Sequence, residues 1–450
     1  MHIDFLINIF KKNLKKNSIV WKDNTFSYGW LLKEYELWIN TLSDLKLKNG
    51  STVVIESEIS PRSLALLLAL IENNCIVIPL TDSVRNKKNE FFDISAAEFT
   101  FKFDKNDNYE FREISQKKDN DLYQILRSNK SPGLVLFSSG SEGKSKAAVH
   151  DFTKILKKYK TPRKDLKTLI FFLFDHIGGI DTLFYTLSNG STVIPVIDRS
   201  PESVCKLIEK HKIEVLPVSP TFLNLLFISE YYKNYDLSSL KYVTYGTEVM
   251  PQYTLDKCSE VFNDVIIMQK FGTTEVGTLR SKSKNSNSTW VKIGGEGYKT
   301  RINNGMLEIK AESAMLGYLN APSPFTDDGW FMSGDQVEVN GEYIKILGRK
   351  SELINVGGEK VYPSEVENII EQIKGINEVI VYGEKNPIMG HIVCCDVNIE
   401  TGFNFEQVKK EIKSKCSEKL QAYKIPMKIN LSDKKFHSSR FKKMRSLQND

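Results

Sequence analysis

The chain has 450 residues, which at roughly 150 residues per domain predicts about three folding units and a core that needs no disulfide support. A hydrophobic fraction of 41%, aromatic 11% and charged 26% are ordinary globular values and exclude collagen-like, low-complexity and disordered classes. Lys and Arg total 62 against 56 Asp and Glu, and a surplus of +6 spread over this length gives no basic footprint for nucleic acid. The six cysteines (Cys75, Cys205, Cys258, Cys394, Cys395, Cys416) never form C-x-x-C, so they read as reduced, buried thiols. The longest apolar candidate, Leu64 to Ile71, stops at Glu72, so no membrane span is predicted.

In chain order, Ile3, Leu6, Ile7, Phe10 and Leu14 predict an amphipathic helix packed on the body. Asp4 lies inside it and the lysines follow, the reverse of a signal peptide, which gives the expectation of a cytoplasmic protein. Ser27 predicts a cap for a helix toward Leu42, followed by a strand at Val53 to Ile55, a helix at Leu64 to Glu72 and a strand at Ile76 to Leu80. From about residue 130 to 275, apolar runs alternate with helix-like segments: Leu134 to Phe137, Leu169 to Phe174, Thr192 to Val196, Glu214 to Val218, Leu240 to Tyr245 and Val265 to Met268. This pattern predicts a largely parallel sheet covered by helices, in which ligands bind beyond the carboxyl ends of the strands. Beyond Thr289 the turn signals Asn304-Gly305 and Asn340-Gly341 predict antiparallel hairpins. From Gly348 a small α+β unit follows, with a helix after Pro363, strands near Val379 and Ile392, and a Lys-rich helix from Val408 to Leu420.

The turns expected at the sheet edge carry the chemistry. Ser138-Ser-Gly-Ser-Glu-Gly-Lys-Ser-Lys146 places hydroxyls, glycine amides and ammonium groups together, the donors that a polyphosphate needs. It is not a Walker A loop, because only two residues separate Gly140 from Gly143-Lys144-Ser145. Phe271-Gly-Thr-Thr-Glu275 sets a hydroxyl beside a carboxylate, able to hold a phosphate and its magnesium together. Asp335 can accept both hydroxyls of a ribose, and Arg349 can donate to the same sugar or to a phosphate.

In this order the segments resemble the adenylate-forming superfamily of acyl- and aryl-CoA synthetases, luciferases and peptide-synthetase adenylation domains. Ser138, Ser139, Gly140, Ser141, Gly143 and Lys146 are similar to its phosphate loop. Gly246-Thr247-Glu248 and Phe271-Gly272-Thr273-Thr274-Glu275 are similar to its adenine and magnesium segments, and Asp335 with Arg349 to its ribose pair. Gly357 to Glu367 is similar to the opening of its C-terminal domain, and Ser438 to Arg445 to its terminal lysine motif. The resemblance implies a large α/β domain, residues 1–348, with mostly parallel sheets and a small β-rich subdomain, and a small mobile α+β domain, residues 349–450.

It further implies an ATP-dependent carboxylate–CoA ligase using ATP, Mg²⁺ and CoA on a small or medium acyl or aryl acid. Lys442 would approach carboxylate and α-phosphate together, Thr274 would bond the α-phosphate, Glu275 would support Mg²⁺, and Phe271 would lie against adenine. His176 joins the catalytic set at the junction of acyl and thiol pockets, near Gly179, while Gly357 and Gly358 would flank the pantetheine arm. A hinge is expected near Ser351. Two alternatives stay open. One loads a carrier protein's phosphopantetheine, with Asp175 pairing an amino-acid ammonium; the other is a catalytically impaired nucleotide-binding protein, suggested by Glu142 in the phosphate loop and Phe441 before the lysine.

Overall fold

The computed structural model describes residues 2–114, 120–139, 145–438 and 440–445. Two seven-stranded sheets form its larger part. In the first, Ile266–Gln269, Tyr242–Tyr245, Val215–Val218, Thr168–Ile170 and Val193–Pro195 run parallel. Asn17–Trp21 continues this direction and folds back on Asn24–Ser27 in a hairpin that the sequence did not announce. In the second, Gly133–Ser139, Ile76–Leu80, Thr52–Glu56 and Phe99–Phe103 run parallel between antiparallel edges.

The expectation that Leu134 to Phe137 shares a sheet with the later strands is thereby corrected. Gly133–Ser139 belongs to the second sheet and pairs antiparallel with Ser145–Asp151. The run from Leu169 is also shorter than expected: the strand is Thr168–Ile170, and the chain beyond it leads to the helix Ile177–Ser188.

One helix holds the two sheets together. Pro61–Glu72 starts with Pro at its first position and a capping box in which Ser60 and Ser63 bond each other's backbone amides. Leu64 to Ile71 are all fully buried, as expected of a helix apolar on every side. They share one core with Val53, Ile55 and Val77 of the second sheet and Ile19, Ile170 and Val193 of the first. The N-terminal helix Asp4–Lys12 buries Leu6, Ile7 and Phe10 as expected; Leu14 lies beyond its end and is 48% exposed, because the helix stops before the pattern does. The cap at Ser27 is present, its hydroxyl accepting from the Trp30 amide.

A six-stranded antiparallel sheet, residues 281–349, follows. Its hairpin between Tyr298–Asn303 and Met306–Ala311 turns at Asn304 and Gly305, both left-handed, as a two-residue type I′ turn requires. A separate five-stranded sheet carries the helices Pro363–Ile370 and Phe405–Lys419, with a core drawn from residues 354–429. All six cysteines are buried and free.

Leu68→Ala should lower unfolding stability by about 2–5 kcal/mol, because its site between two sheets cannot collapse. Urea denaturation followed by far-UV circular dichroism measures it.

Candidate active site

Four of the expected turns, Asp175 to Gly179, Ser219 to Thr221, Gly246 to Glu248 and Phe271 to Glu275, follow strands of the first sheet, the first two running into the helices Ile177–Ser188 and Pro220–Ser229. The fifth arrives from the second sheet. Ser138 pairs with Lys146 across the hairpin, and the Lys146 ammonium lies 5.6 Å from the centre of the Tyr318 ring. The Tyr318 hydroxyl donates to Glu275 at 2.6 Å, so the base of the glycine-rich hairpin is tied to the carboxylate expected to face magnesium. Gly140, Ser141, Glu142 and Gly143 lie outside the described residues, as does the side chain of Ser139.

Strain and unsatisfied hydroxyls mark the same rim. Thr247, a β-branched residue, sits at φ +74, and its Oγ1 is buried without a partner among the described residues. Thr273 Oγ1 is likewise buried with no partner among the described residues, the condition in which a hydroxyl can bond a ligand. Gly246 is required by close approach: a Cβ there would stand 2.7 Å from the Lys270 carbonyl oxygen. Gly272 is packed against Thr278 in the same way. Glu248 accepts from the Thr221 hydroxyl at 2.6 Å and from the Lys443 amide, joining the rim to the C-terminal tail. Behind Thr274 and Glu275 stands His150, fully buried; burial pushes its imidazole down to about 4, so the ring is neutral.

The tail forms a tight turn from Phe436 to Met444 against this rim. Lys443 and Arg445 face away from it. Lys443 bonds Glu371 at 2.6 Å and Glu367 at 3.2 Å, while Arg445 grips both oxygens of Glu367 at 3.0 and 2.8 Å and reaches Glu352 at 2.7 Å. Burial alone would raise the Glu367 carboxyl, but Arg445 and Lys443 overcome it and hold the group at about 2. Lys442, just before them in sequence, faces the cleft instead. Among the described residues it makes no ion pair; burial lowers its ammonium below the usual lysine range, Glu248 and Glu275 oppose that shift, and Arg349 and Arg440 add to it. These neighbours place Lys442 among the candidate nucleotide residues.

Phe441 adopts φ +52, the left-handed conformation in which glycine is the low-strain choice. Its ring lies 5.5 Å from both Phe171 and Phe222 and stacks on His437 at 5.6 Å, which anchors the turn. Phe441 also lines, with Phe171, Phe172, His176, Thr247, Arg440 and Lys442, a narrow cavity beneath the turn.

Asp335 and Arg349 face each other across a hairpin, with Nε and Oδ1 3.4 Å apart. Burial raises the Asp335 carboxyl to about 6, against the pull of Arg349. His176 caps the helix Ile177–Ser188, its Nδ1 accepting from the Gly178 amide at 3.0 Å. Burial, with Lys442 and Arg440 nearby, drives its imidazole well below the usual value. The ring is therefore neutral with the proton on Nε2, able to donate into the cavity but not to accept a thiol proton there. Gly179 allows the helix to start beneath Leu173, whose carbonyl oxygen a Cβ would meet at 2.0 Å.

Two expected placements differ. Asp175 already holds a cation: its Oδ2 accepts from Arg440 at 2.8 Å and Thr81 at 2.9 Å, while its Oδ1 is buried without a partner among the described residues. Gly357 and Gly358 are exposed, beside Met389 and Asn355, and are not brought to the cleft. Phe271 is 6% exposed within the core of the antiparallel sheet. Arg440 and Tyr318 were missed by sequence reasoning, as was Arg199, which bonds the Phe171 carbonyl at 2.9 Å. Only Arg440 carried a signal, its place inside the terminal motif.

A family model described as AMP-binding enzyme matches residues 9–297, and a second, AMP-binding enzyme C-terminal domain, matches residues 365–442. The chain belongs to the AMP-binding enzyme family. As a member of this adenylate-forming superfamily, it is 27% identical over 325 residues to a 2-succinylbenzoate–CoA ligase of Listeria monocytogenes, covering 67% of this chain and 66% of the relative. It is 26% identical over 292 residues to an indoleacetate–CoA ligase of Aromatoleum aromaticum, covering 58% and 56%. The matched segments thus span about three fifths of these relatives' length. Among solved structures, an anthranilate CoA ligase in complex with anthranoyl-AMP superposes with a TM-score of 0.83 at 18% identity, covering 99% of this chain and 95% of that one. An o-succinylbenzoate CoA synthetase from Bacillus subtilis gives 0.78 at 19%, covering 99% and 98%. Both likenesses establish the fold of this AMP-binding enzyme: a large α/β domain followed by a small C-terminal one.

Glu367→Gln should cost about 3–5 kcal/mol at pH 7 by leaving Arg445 and Lys443 buried without their partner. The wild-type advantage is complete above the unfolded carboxyl value near 4.3 and narrows as pH falls toward about 2, where Glu367 itself takes a proton. Urea titrations at several pH values measure both.

Proposed function

We propose that this AMP-binding enzyme is an ATP-dependent carboxylate–CoA ligase: it joins a small or medium acyl or aryl acid to AMP and passes the acyl group to the CoA thiol. The observation that carries this reading is the placement of Lys442, held in the cleft by its clamped neighbours and facing Glu248, Glu275 and Arg349. In the first step a carboxylate oxygen attacks the α-phosphorus of ATP and pyrophosphate leaves with the bonding electrons. Both reactants are anions, so a cation set between them lowers the barrier by several kcal/mol. Thr274 bonds the α-phosphate, Asp335 and Arg349 hold the ribose, and Phe271 bounds the adenine site. The thiol then attacks the acyl carbon and AMP departs.

Glu275 suits Mg²⁺, since a carboxylate is a hard oxygen donor and this ion takes few protein ligands beside water and phosphate. Among the described residues no cluster of three His, Cys, Asp or Glu could hold a metal unaided, which fits an ion brought with the nucleotide. When bound, it would neutralise phosphate charge as pyrophosphate leaves. The second step needs an approach for the thiol. We assign residues 349–450 to a domain that turns near Ser351, withdrawing Lys442 and bringing Gly357 and Gly358 to the cleft. No helix is long and apolar enough to cross a membrane among the described residues, and we place the reaction in the cytoplasm.

Pyrophosphate release from ATP-Mg²⁺ across a panel of carboxylic acids, with CoA present or omitted, tests the reading; release that needs no acid, or no thioester with any acid, contradicts it. Lys442→Ala should reduce pyrophosphate release by about 10²–10³-fold, the magnitude for losing one charge-stabilising donor, while thioester formation from supplied acyl-adenylate changes little. Stopped assays of each half-reaction compare them. Because Asp335 accepts from the ribose as a carboxylate, adenosine affinity should weaken as pH falls through about 6, and Asp335→Asn should bind weakly without that dependence. Calorimetry with adenosine, which carries no titrating phosphate, reads it directly.

A further inference from the structure

The terminal turn is bonded in two directions. Lys443 and Arg445 pair with Glu352, Glu367 and Glu371, all beyond Arg349 in sequence. Arg440 reaches the other way. Its Nη2 donates to Asp175 Oδ2 at 2.8 Å, and among the described residues this is the one ion pair between the terminal turn and the larger lobe.

The seat for Arg440 lies where the two large sheets meet. Thr81 follows the strand Ile76–Leu80 of the second sheet, and Asp175 lies between the strand Thr168–Ile170 of the first and the helix Ile177–Ser188. Thr81 donates to Asp175 Oδ2 through its hydroxyl at 2.9 Å and its amide at 3.4 Å. The Ser83 hydroxyl, 2.8 Å from that of Thr81, stands 3.5 Å from the Arg440 guanidinium. Glu58, engaged by Arg199 at 3.3 Å, adds only repulsion to Asp175. The Asp175 side chain is 4% exposed and its Oδ1 has no partner among the described residues, so Arg440 supplies the cation that this buried charge requires.

Within the turn the anchorage is passed on by short bonds. The Phe441 amide donates to the Ser438 carbonyl, and the Ser438 amide to the Lys442 carbonyl, each at 2.9 Å. The Ser438 hydroxyl accepts from the Arg440 amide at 3.3 Å and from the Lys442 amide at 3.4 Å. Residues 440 to 442 are therefore one unit closed on Ser438, and fixing the Arg440 side chain fixes where Lys442 enters the cleft.

We propose that Arg440 is the positioning residue for Lys442, that Asp175 is its seat on the lobe, and that this pair serves acyl-adenylate formation and is broken for the thiol step. The bonds of Lys443 and Arg445 persist when residues 349–450 turn about Ser351, whereas the bond to Asp175 must part. Water reaching both charges as they separate offsets the lost attraction, so the pair selects one pose without locking it. The proposal rests on the ligase reading for its two half-reactions, but docking of the tail tests it apart from turnover.

Pyrophosphate release, and thioester formation from supplied acyl-adenylate, are measured for wild type, Arg440→Gln, Asp175→Asn, the double variant and Arg440→Lys. Each neutralising single variant should lower the ratio of the first rate to the second about tenfold, an ordinary coupling for one charge pair. The double variant should fall no further than the worse single one, and Arg440→Lys should keep most of the ratio. An unchanged ratio in Arg440→Gln overturns the proposal, as do losses that multiply in the double variant. So does a loss in Arg440→Gln that Asp175→Asn does not share, which marks a direct contact of Arg440 with substrate. Should Asp175→Asn not fold, Asp175→Ser takes its place under the same criteria. Amide hydrogen exchange across residues 440–444, read without ligand, should quicken about tenfold in either single variant, and unchanged exchange overturns the proposal. Quickened exchange in a protein that releases no pyrophosphate with any acid would sustain the docking pair and count against the ligase reading alone.

Discussion

The site depends on one buried carboxylate. Glu367, buried in the middle of the short helix Pro363–Ile370, gathers Arg445, Lys443 and the Val381 amide, and its charge is kept because three donors converge on it. Two cations that would otherwise scatter into solvent are drawn to the same side of the tail. Lys442, immediately before Lys443 in the turn, lies on the other side and lines the cavity. Lysine placement here is a matter of backbone geometry set by its neighbours' ion pairs, more than of any contact that Lys442 makes itself.

The seam between tail and larger lobe is complementary in charge. The lobe offers Asp175 and Glu248, and the tail answers with the Arg440 guanidinium and the Lys443 amide. Such pairs favour one register of docking over others more than they add net stability, because each partner loses water on burial. Around them the lobe supplies buried hydroxyls at Thr247 and Thr273 that have no partner among the described residues, an arrangement that costs free energy until something bonds them.

Much of this was legible from residue order. The helix cap at Ser27, the Asn304-Gly305 turn and the β-branched runs are local effects, and local effects survive folding. What failed was partition. Nothing in Gly133 to Ser139 says which of two sheets it joins, since strand pairing is decided by partners far away in sequence. The choice of Lys442 over Lys443 rested on spacing to Arg445, and only the fold adds that Lys443 is held by Glu367 and Glu371, more than seventy positions earlier. Asp175 shows the same limit: its type suggested an ammonium partner, and only the fold reveals that Arg440 fills that place.

Phe441 has a thermodynamic consequence for any withdrawal of the tail. Pulling the ring out would uncover apolar area on Phe171 and Phe222 as well as its own, on the order of 1.5–3 kcal/mol for a side chain of this size. Release of left-handed strain at Phe441 returns part of that, so departure is neither free nor forbidden. In the rotation proposed above, the ring would act as a detent, a shallow well whose depth would set how long the lobes stay shut.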